Sequence, residues 1–310
     1  MLGWSHPDYP LLLPGSVARI WQYAGMETQI GPALISSVFS FGTIGLNVSS
    51  ISSLRGRIQG YLAGLVLVST HYLVRDGVSQ YADVLLDFYF LGTAVLLSYQ
   101  SRFSDNRNFA ILAGTAAGLS AWTKNEGLLF LVAVTVAQLA AAASSRKWKV
   151  HGRQMLSFSA GLLPVLMIII YFKVTLAPPN DLISSLKWKF VMGRVLNFPR
   201  YALIAAAFLH EMSGFPVLLL AIGLICLGIT ANKQQRSHGT PLIWVLGVML
   251  MGYFFIFVTT YHDLSWHLRT SLRRVLVLLW PSVVFTFFLI VRTPLEAKNG
   301  TCWADYGLFF

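Results

Sequence analysis

Apolar runs of about twenty residues recur along most of this 310-residue chain, and that repetition restricts the fold more than any motif does. A run of that length matches the hydrocarbon core of a bilayer. Only 11% of the residues are charged against 55% hydrophobic, where soluble domains carry roughly 25% charged, so much of the surface must be solvated by lipid. The runs are unbroken and lack the ten-residue alternation of barrel strands, which favours helices over a β-barrel. The expected fold is an all-α, polytopic transmembrane helical bundle. Nine spans are expected, near 30–50, 58–74, 82–99, 108–122, 127–143, 155–176, 214–231, 241–259 and 273–291. Residues 10–24 are too short and too interrupted by Pro14, Gly15 and Arg19 to cross, and are expected as an interfacial or re-entrant helix with Trp21 and Tyr23 at headgroup level. The organisation is then an outer segment over 1–29, a transmembrane domain over 30–291 and a tail over 292–310.

The net charge of +11 is scattered between apolar spans, with no nucleic-acid-binding motif, so the bilayer and not nucleic acid is the expected partner. Cys226 and Cys302 form neither a disulfide framework nor a metal spacing. No basic stretch leads Met1 into an apolar core, so no cleavable leader is expected. Short basic connectors such as SSRKWKVHGR mark the cytoplasmic side by positive-inside logic. Most acids fall on the other side: Asp8, Glu27, Asp76, Asp83, Asp87, Glu126, Asp181, Glu211 and Asp263, leaving Asp105, Glu296 and Asp305. Carboxylates among Arg and Lys at one set of membrane ends suit a site that handles a charged lipid headgroup with acid–base chemistry. The plainer explanation is that loops are polar.

Four stretches carry the candidate chemistry. The first is the proline-rich segment His6 to Pro14, with one acid, Asp8, and one imidazole. The second, Arg75 to Asp83, joins two spans through a tight turn and puts Asp83 in a first helical turn, with Asp87 one turn deeper. An acid there is favoured by the helix dipole alone, whereas Asp87 is costlier to desolvate and calls for a partner within the bundle. The third is Thr123-Lys124-Asn125-Glu126, in which Lys124 suits a phosphate but equally a snorkelling turn charge. The fourth, Tyr261 to Arg274, carries Arg269, Arg273 and Arg274, a set able to fork onto a lipid phosphate. Its His262, Asp263 and His267 could ligate a divalent metal, but an i, i+5 pair in a loop is a weak signal. No cofactor is otherwise required. In the segment 177–213, expected as an outer loop with interfacial helices, Lys187, Lys189, Arg194 and Arg200 are further phosphate candidates. There is no HExxH, GxSxG, P-loop or paired-cysteine motif, which removes the common protease, hydrolase and ATPase readings. Two sequons, at Asn47 and Asn299, are read as chance matches.

In order, HPDYPLLLP, RDGVSQYADVLLDFYFLGTAVLL, GLSAWTKNEGLLFLVA and DLSWHLRTSLRRVLVLLWP resemble the bacterial membrane glycosyltransferases related to protein mannosyltransferases and aminoarabinose transferases, which share the GT-C fold. The resemblance implies a polytopic enzyme moving a sugar from a polyprenyl-phosphate donor to a lipid, glycan or protein acceptor on the non-cytoplasmic face, in the bacterial inner membrane. It implies an inverting displacement with a second acid at the position of Asp83, and Asp8 is a catalytic candidate that would take over the base role of the family's principal acid. Arg75, Lys124, Arg269, Arg273 and Arg274 are then donor-phosphate ligands, and His6, Asp87, Glu126, His262 and His267 acceptor or metal candidates. The family's first helix and principal acid would lie ahead of residue 1, so a truncated chain is expected. A transporter or flippase of lipid-linked sugars would instead call for repeats and broken helices with midplane charges. A non-catalytic membrane fragment is the third reading.

Overall fold

The computed structural model describes residues 8–144, 148–178, 188–230 and 232–298. They form helices α1 (Leu12–Ala24), α2 (Ile30–Arg55), α3 (Arg57–Ser69), α4 (His71–Val78), α5 (Asp83–Arg102), α6 (Asn108–Thr123), α7 (Asn125–Ser144), α8 (Trp148–Thr175), α9 (Trp188–Val195), α10 (Phe198–Met212), α11 (Val217–Leu227), α12 (Lys233–Thr259), α13 (Leu264–His267) and α14 (Arg273–Ile290). A single π-turn, Leu268–Leu272, joins α13 to α14. No strand is present among the described residues. Six helices are long and apolar enough to cross a membrane, and α10 with α11, bent by 80°, make a possible seventh. The protein is an integral membrane protein.

The expected nine spans are corrected by helix breaks. Gly56, at φ 110°, ends α2, and the extended Thr70 ends α3 after 13 residues, so the apolar run at 58–74 is two short helices. Thr70 is fixed there by its own side chain, which accepts from Trp280 Nε1 at 2.9 Å and donates to Val66 O at 2.7 Å. The run at 108–122 is α6, 16 residues long. At ~1.5 Å per residue that is about 24 Å, short of the hydrocarbon thickness. It nevertheless returns along α5 from end to end, because the turn after Arg102 lies at one end and Lys124, paired with Asp83, at the other. We refer to the Asp83 end as the upper end and the Arg102 end as the lower. Short helices α1, α9 and α10 occupy the segments where interfacial helices are expected.

A seam of small residues lets α6 sit so close to its neighbours. Ala110, Ala113, Gly114, Ala117, Gly118 and Ala121 recur every three or four residues and are buried, and backbones approach only where side chains are small. A Cβ on Gly114 would fall 1.9 Å from Phe158 O in α8, and one on Gly161 of α8 1.9 Å from Ile111 O. Lipid provides little hydrophobic drive between helices, so such close van der Waals packing holds the bundle together. On the other side, Phe90 of α5 stacks on Phe130 of α7 at 4.0 Å, and α14 is buried along most of its length between α2, α5 and α12.

Candidate active site

The upper end is organised by one buried carboxylate. Asp83 opens α5, where its negative charge complements the helix dipole, but the side chain is 1% exposed and needs stronger compensation. Lys124 Nζ donates to Asp83 Oδ1 at 2.8 Å, while Arg274 donates to Oδ2 from Nε at 2.8 Å and from Nη2 at 2.5 Å. Lys124 also meets Glu126 Oε1 at 2.7 Å. Burial by itself would lower the Lys124 pKa, but Glu126 and then Asp83 outweigh it and push it up, so the ammonium keeps its charge. The junction that presents Lys124 is a single extended residue between α6 and α7. Gly127 makes that junction possible, since a Cβ there would lie 2.1 Å from Ser120 O.

In front of this cluster lies a cavity of about 300 Å³, at the small end of the range for small-molecule sites. Its polar lining is Asp8, Lys124, Asn125, Glu126, Tyr253 and Arg274, and its aromatic lining comes from Phe257, Tyr261 and Trp266, with His262 and His267 between them. Asp8 is held over the cavity by Asn125, whose Nδ2 donates to Asp8 Oδ2 at 2.8 Å; Lys173 Nζ donates to Asn125 Oδ1 at 2.8 Å and to Asp8 O at 2.5 Å. Tyr9 lines the same wall, its hydroxyl pushed up to about 12 chiefly by burial and next by the charge of Glu126. Among the described residues, three buried side-chain atoms of lining residues have no hydrogen-bond partner, and each is sealed from the cavity itself: Glu126 Oε2, Tyr253 Oη and His267 Nδ1.

The expected site residues divide accordingly. Asp8, Lys124, Glu126, His262, His267 and Arg274 line one cavity, whereas Asp83 stands behind it, occupied by two cations. Asp87 is buried in α5 as expected, yet its Oδ1 lacks a hydrogen-bond partner. The arginine trio does not converge: Arg269 is exposed, Arg273 lies over the Tyr72 ring at 5.1 Å, and Arg274 turns to Asp83. Successive residues on a helix point about 100° apart, so adjacent arginines cannot share one phosphate easily. Arg75 is exposed on α4 and outside the cavity lining. Arg194 and Arg200 bond the last carbonyls of α12, from Phe257 O to Thr260 O, in place of phosphate. His6 and Lys187, and the Asn299 sequon, lie outside the described residues; nothing is described of the Lys189 side chain. Asn47 is buried and donates to Pro281 O at 2.9 Å, in keeping with a chance sequon.

Among the described residues no group of three His, Cys, Asp or Glu side chains could hold a metal ion. Asp263 instead caps α13, accepting from Ser265 Oγ at 2.6 Å and Trp266 N at 2.8 Å, and those two bonds hold its carboxyl below the usual range. Sequence reasoning missed Tyr253, Tyr9, Asn125 and Lys173. The TKNE turn already contained Asn125, but nothing marks one tyrosine within the apolar run GVMLMGYFFIFV.

No protein-family model and no characterised protein sequence matches the chain. Its fold is similar to the crystal structure of ArnT from Cupriavidus metallidurans bound to undecaprenyl phosphate, with a TM-score of 0.57 and 13% sequence identity. The match covers 97% of this chain and 52% of that one, so the chain spans about half the length of the protein it resembles. What the two share is a GT-C-like membrane fold.

Proposed function

We propose that the protein is a membrane glycosyltransferase that takes a sugar from a polyprenyl-phosphate donor and passes it to an acceptor hydroxyl at the upper end of the bundle, on the non-cytoplasmic face. The observation that carries this reading is the upper cavity, whose lining brings Asp8 together with Lys124 and Arg274 in a fold shared with a protein solved with a lipid phosphate. The acceptor is a lipid, a glycan or a protein.

An alcohol is a poor nucleophile, so a carboxylate within reach must accept its proton as the new bond forms. Asp8 takes that role, oriented by Asn125. The acceptor oxygen bonds to the anomeric carbon, the bond from that carbon to the phosphate oxygen breaks with inversion, and polyprenyl phosphate leaves with the electron pair. Lys124 and Arg274 stabilise its growing charge. An ammonium has three donors and a guanidinium five, so both keep N–H groups for phosphate after binding Asp83. Asp83 is thereby a positioning residue that fixes the two cations, and this replaces its expected role as a base.

The test is transfer in nanodiscs, with undecaprenyl-phosphate sugars offered together with lipid, glycan and peptide acceptors. Product formation lost in Asp8→Asn, at unchanged thermal stability, supports the assignment. A folded protein that forms no product with any pairing, or that carries lipid-linked sugars across the bilayer without transfer, overturns it.

A further inference from the structure

A second cleft, of about 110 Å³, opens at the lower end between the turn that joins α5 to α6 and the first part of α8. Its floor is polar and buried: Gln100 of α5 is 6% exposed and Ser157 of α8 is 9% exposed. The Oε1 atom of Gln100 is sealed inside the protein, which leaves the amide nitrogen as the polar atom that this residue brings to the cleft. Asn106 Oδ1 accepts from Asn108 N at 3.0 Å, so the Asn106 amide nitrogen is likewise left to donate. At the mouth stand Asp105, Arg107 and Arg153, all exposed. Among the described residues neither guanidinium has an ion pair or a side-chain hydrogen bond. Positive-inside ordering accounts for basic residues at this end, but it does not call for a buried polar floor beneath them. Donors below and two uncommitted guanidinium groups above make a site for an anion.

The depth of the cleft points to a lipid as the source of that anion. Counted from Thr175 at the upper end of α8 at ~1.5 Å per residue, Ser157 lies about 27 Å down and Arg153 about 33 Å. The hydrocarbon layer is about 30 Å thick, so the floor falls within it and the arginines at its lower edge, the level of the headgroup phosphates. The charge narrows the choice further. Two arginines and Asp105 leave one net positive charge, which matches the single negative charge of a phosphodiester, whereas a phosphomonoester approaches two. We propose that this cleft binds the phosphodiester headgroup of a phospholipid in the lower leaflet. Arg107 and Arg153 fork onto the phosphate oxygens, and the amide nitrogens of Asn106 and Gln100 and the Ser157 hydroxyl donate to the remaining oxygens of the headgroup. The site lies at the opposite end of the bundle from the Asp8 cavity and does not depend on the transfer reaction.

The experiment titrates the purified full chain in detergent micelles and reads bound ligand by native mass spectrometry. The probes are phosphatidylglycerol, phosphatidic acid, diacylglycerol with the same chains, and glycerophosphoglycerol, the water-soluble headgroup of the first. Arg107→Gln and Arg153→Gln are compared with Arg57→Gln, an exposed basic residue at the same end but outside the cleft; thermal unfolding without added lipid verifies that each is folded. Wild type is expected to hold phosphatidylglycerol at least about tenfold more tightly than diacylglycerol or the soluble headgroup. Either cleft variant should weaken it about 5- to 10-fold, and Arg57→Gln less than about twofold. Asp105→Asn, which leaves two net positive charges, should move the preference toward phosphatidic acid. Equal losses in all three arginine variants would mark a diffuse charged surface and overturn the site, as would no loss in the cleft variants or equal binding of diacylglycerol. Equal binding of the soluble headgroup overturns the lipid as its source, and a wild type that prefers phosphatidic acid at pH 8 overturns the phosphodiester.

Discussion

The two ends of the bundle solve the same problem differently. At the lower end, Arg55 is buried and donates to Glu296 Oε2 at 2.9 Å, to Glu296 Oε1 at 3.1 Å and to Val291 O at 2.6 Å, with Gln235 as a further acceptor. Ser101 pairs with His238 at 2.6 Å, and Gln235 also accepts from Thr230 at 2.8 Å. Apart from Arg55 Nε, which is buried with no partner among the described residues, these groups spend their donors on one another and on chain carbonyls, tying α2 and α12 to the segment after α14. At the upper end, two cations and the Asp83 carboxylate are paired as well, but Lys124 and Arg274 also line a cavity. A closed network serves as a clasp, whereas one left open toward a cavity is available to a ligand.

This contrast can be broken by mutation, and the largest effect is expected at Asp83. Asp83→Ala leaves Lys124 with Glu126 as its ion partner and Arg274, whose side chain is 38% exposed, without a carboxylate, and removing one partner from a buried ion pair costs up to about 3–5 kcal/mol; a large drop of the thermal transition in detergent, with loss of transfer, is the expected result. Asp83→Asn should retain part of the stability. If either variant unfolds like wild type, Asp83 is not the anchor of the upper end. Next comes the lower clasp. Glu296→Gln removes the charge but leaves Arg55 its carbonyl partners, and since Glu296 is 37% exposed the expected loss is about 1 kcal/mol, with transfer unchanged. Any large drop in transfer from this variant would mean the two ends are coupled.

Smaller in stability but decisive for chemistry is Asp8→Asn, expected to change unfolding by less than about 1 kcal/mol while lowering the transfer rate by about 10²- to 10⁴-fold, the usual worth of a general base. Normal turnover in a folded Asp8→Asn protein would move the base elsewhere in the cavity. The smallest effect is a pH response confined to the lower end. Burial would raise the Glu296 carboxyl, but hydrogen bonds from Arg55 and from the Thr293 amide hold it below its ordinary 4.5. A carboxyl depressed in the folded state contributes stability above its unfolded value and loses it as pH falls through its folded value. Acidification below about pH 4.5 should therefore weaken wild type and have less effect on Glu296→Gln, as a comparison of their unfolding midpoints from pH 7 to 3.5 would reveal.

Much of this was legible in the sequence because lipid imposes simple rules. Uninterrupted apolar runs gave helices, and the run broken by Pro14 and Arg19 gave a helix of 13 residues, too short to span. The gathering of acids at one end followed from loop alternation, and Asp8, Lys124, Glu126 and Arg274 were all recognisable as charges at membrane edges. Two kinds of information were not local. The break at Thr70 depends on its bond from Trp280, 210 positions away, so hydropathy counted helices too generously. Partner choice was equally hidden: Asp83 looks like a base in isolation, and only the approach of residues 41 and 191 positions away reveals it as a counter-ion. Tyr253 went unseen because an aromatic in an apolar run is normally core.

The glycine and alanine seam of α6 also carries a mechanical implication. Contacts between backbones have no side-chain rotamers to absorb displacement, so α6 behaves as a strut clamped along its length by α5 and α8. Lys124 is the tip of that strut. A single methyl group added at Gly114, well below the cavity, should be transmitted upward as a shift of the ammonium, so the fine placement of this charge is written partly in residues that never approach the ligand.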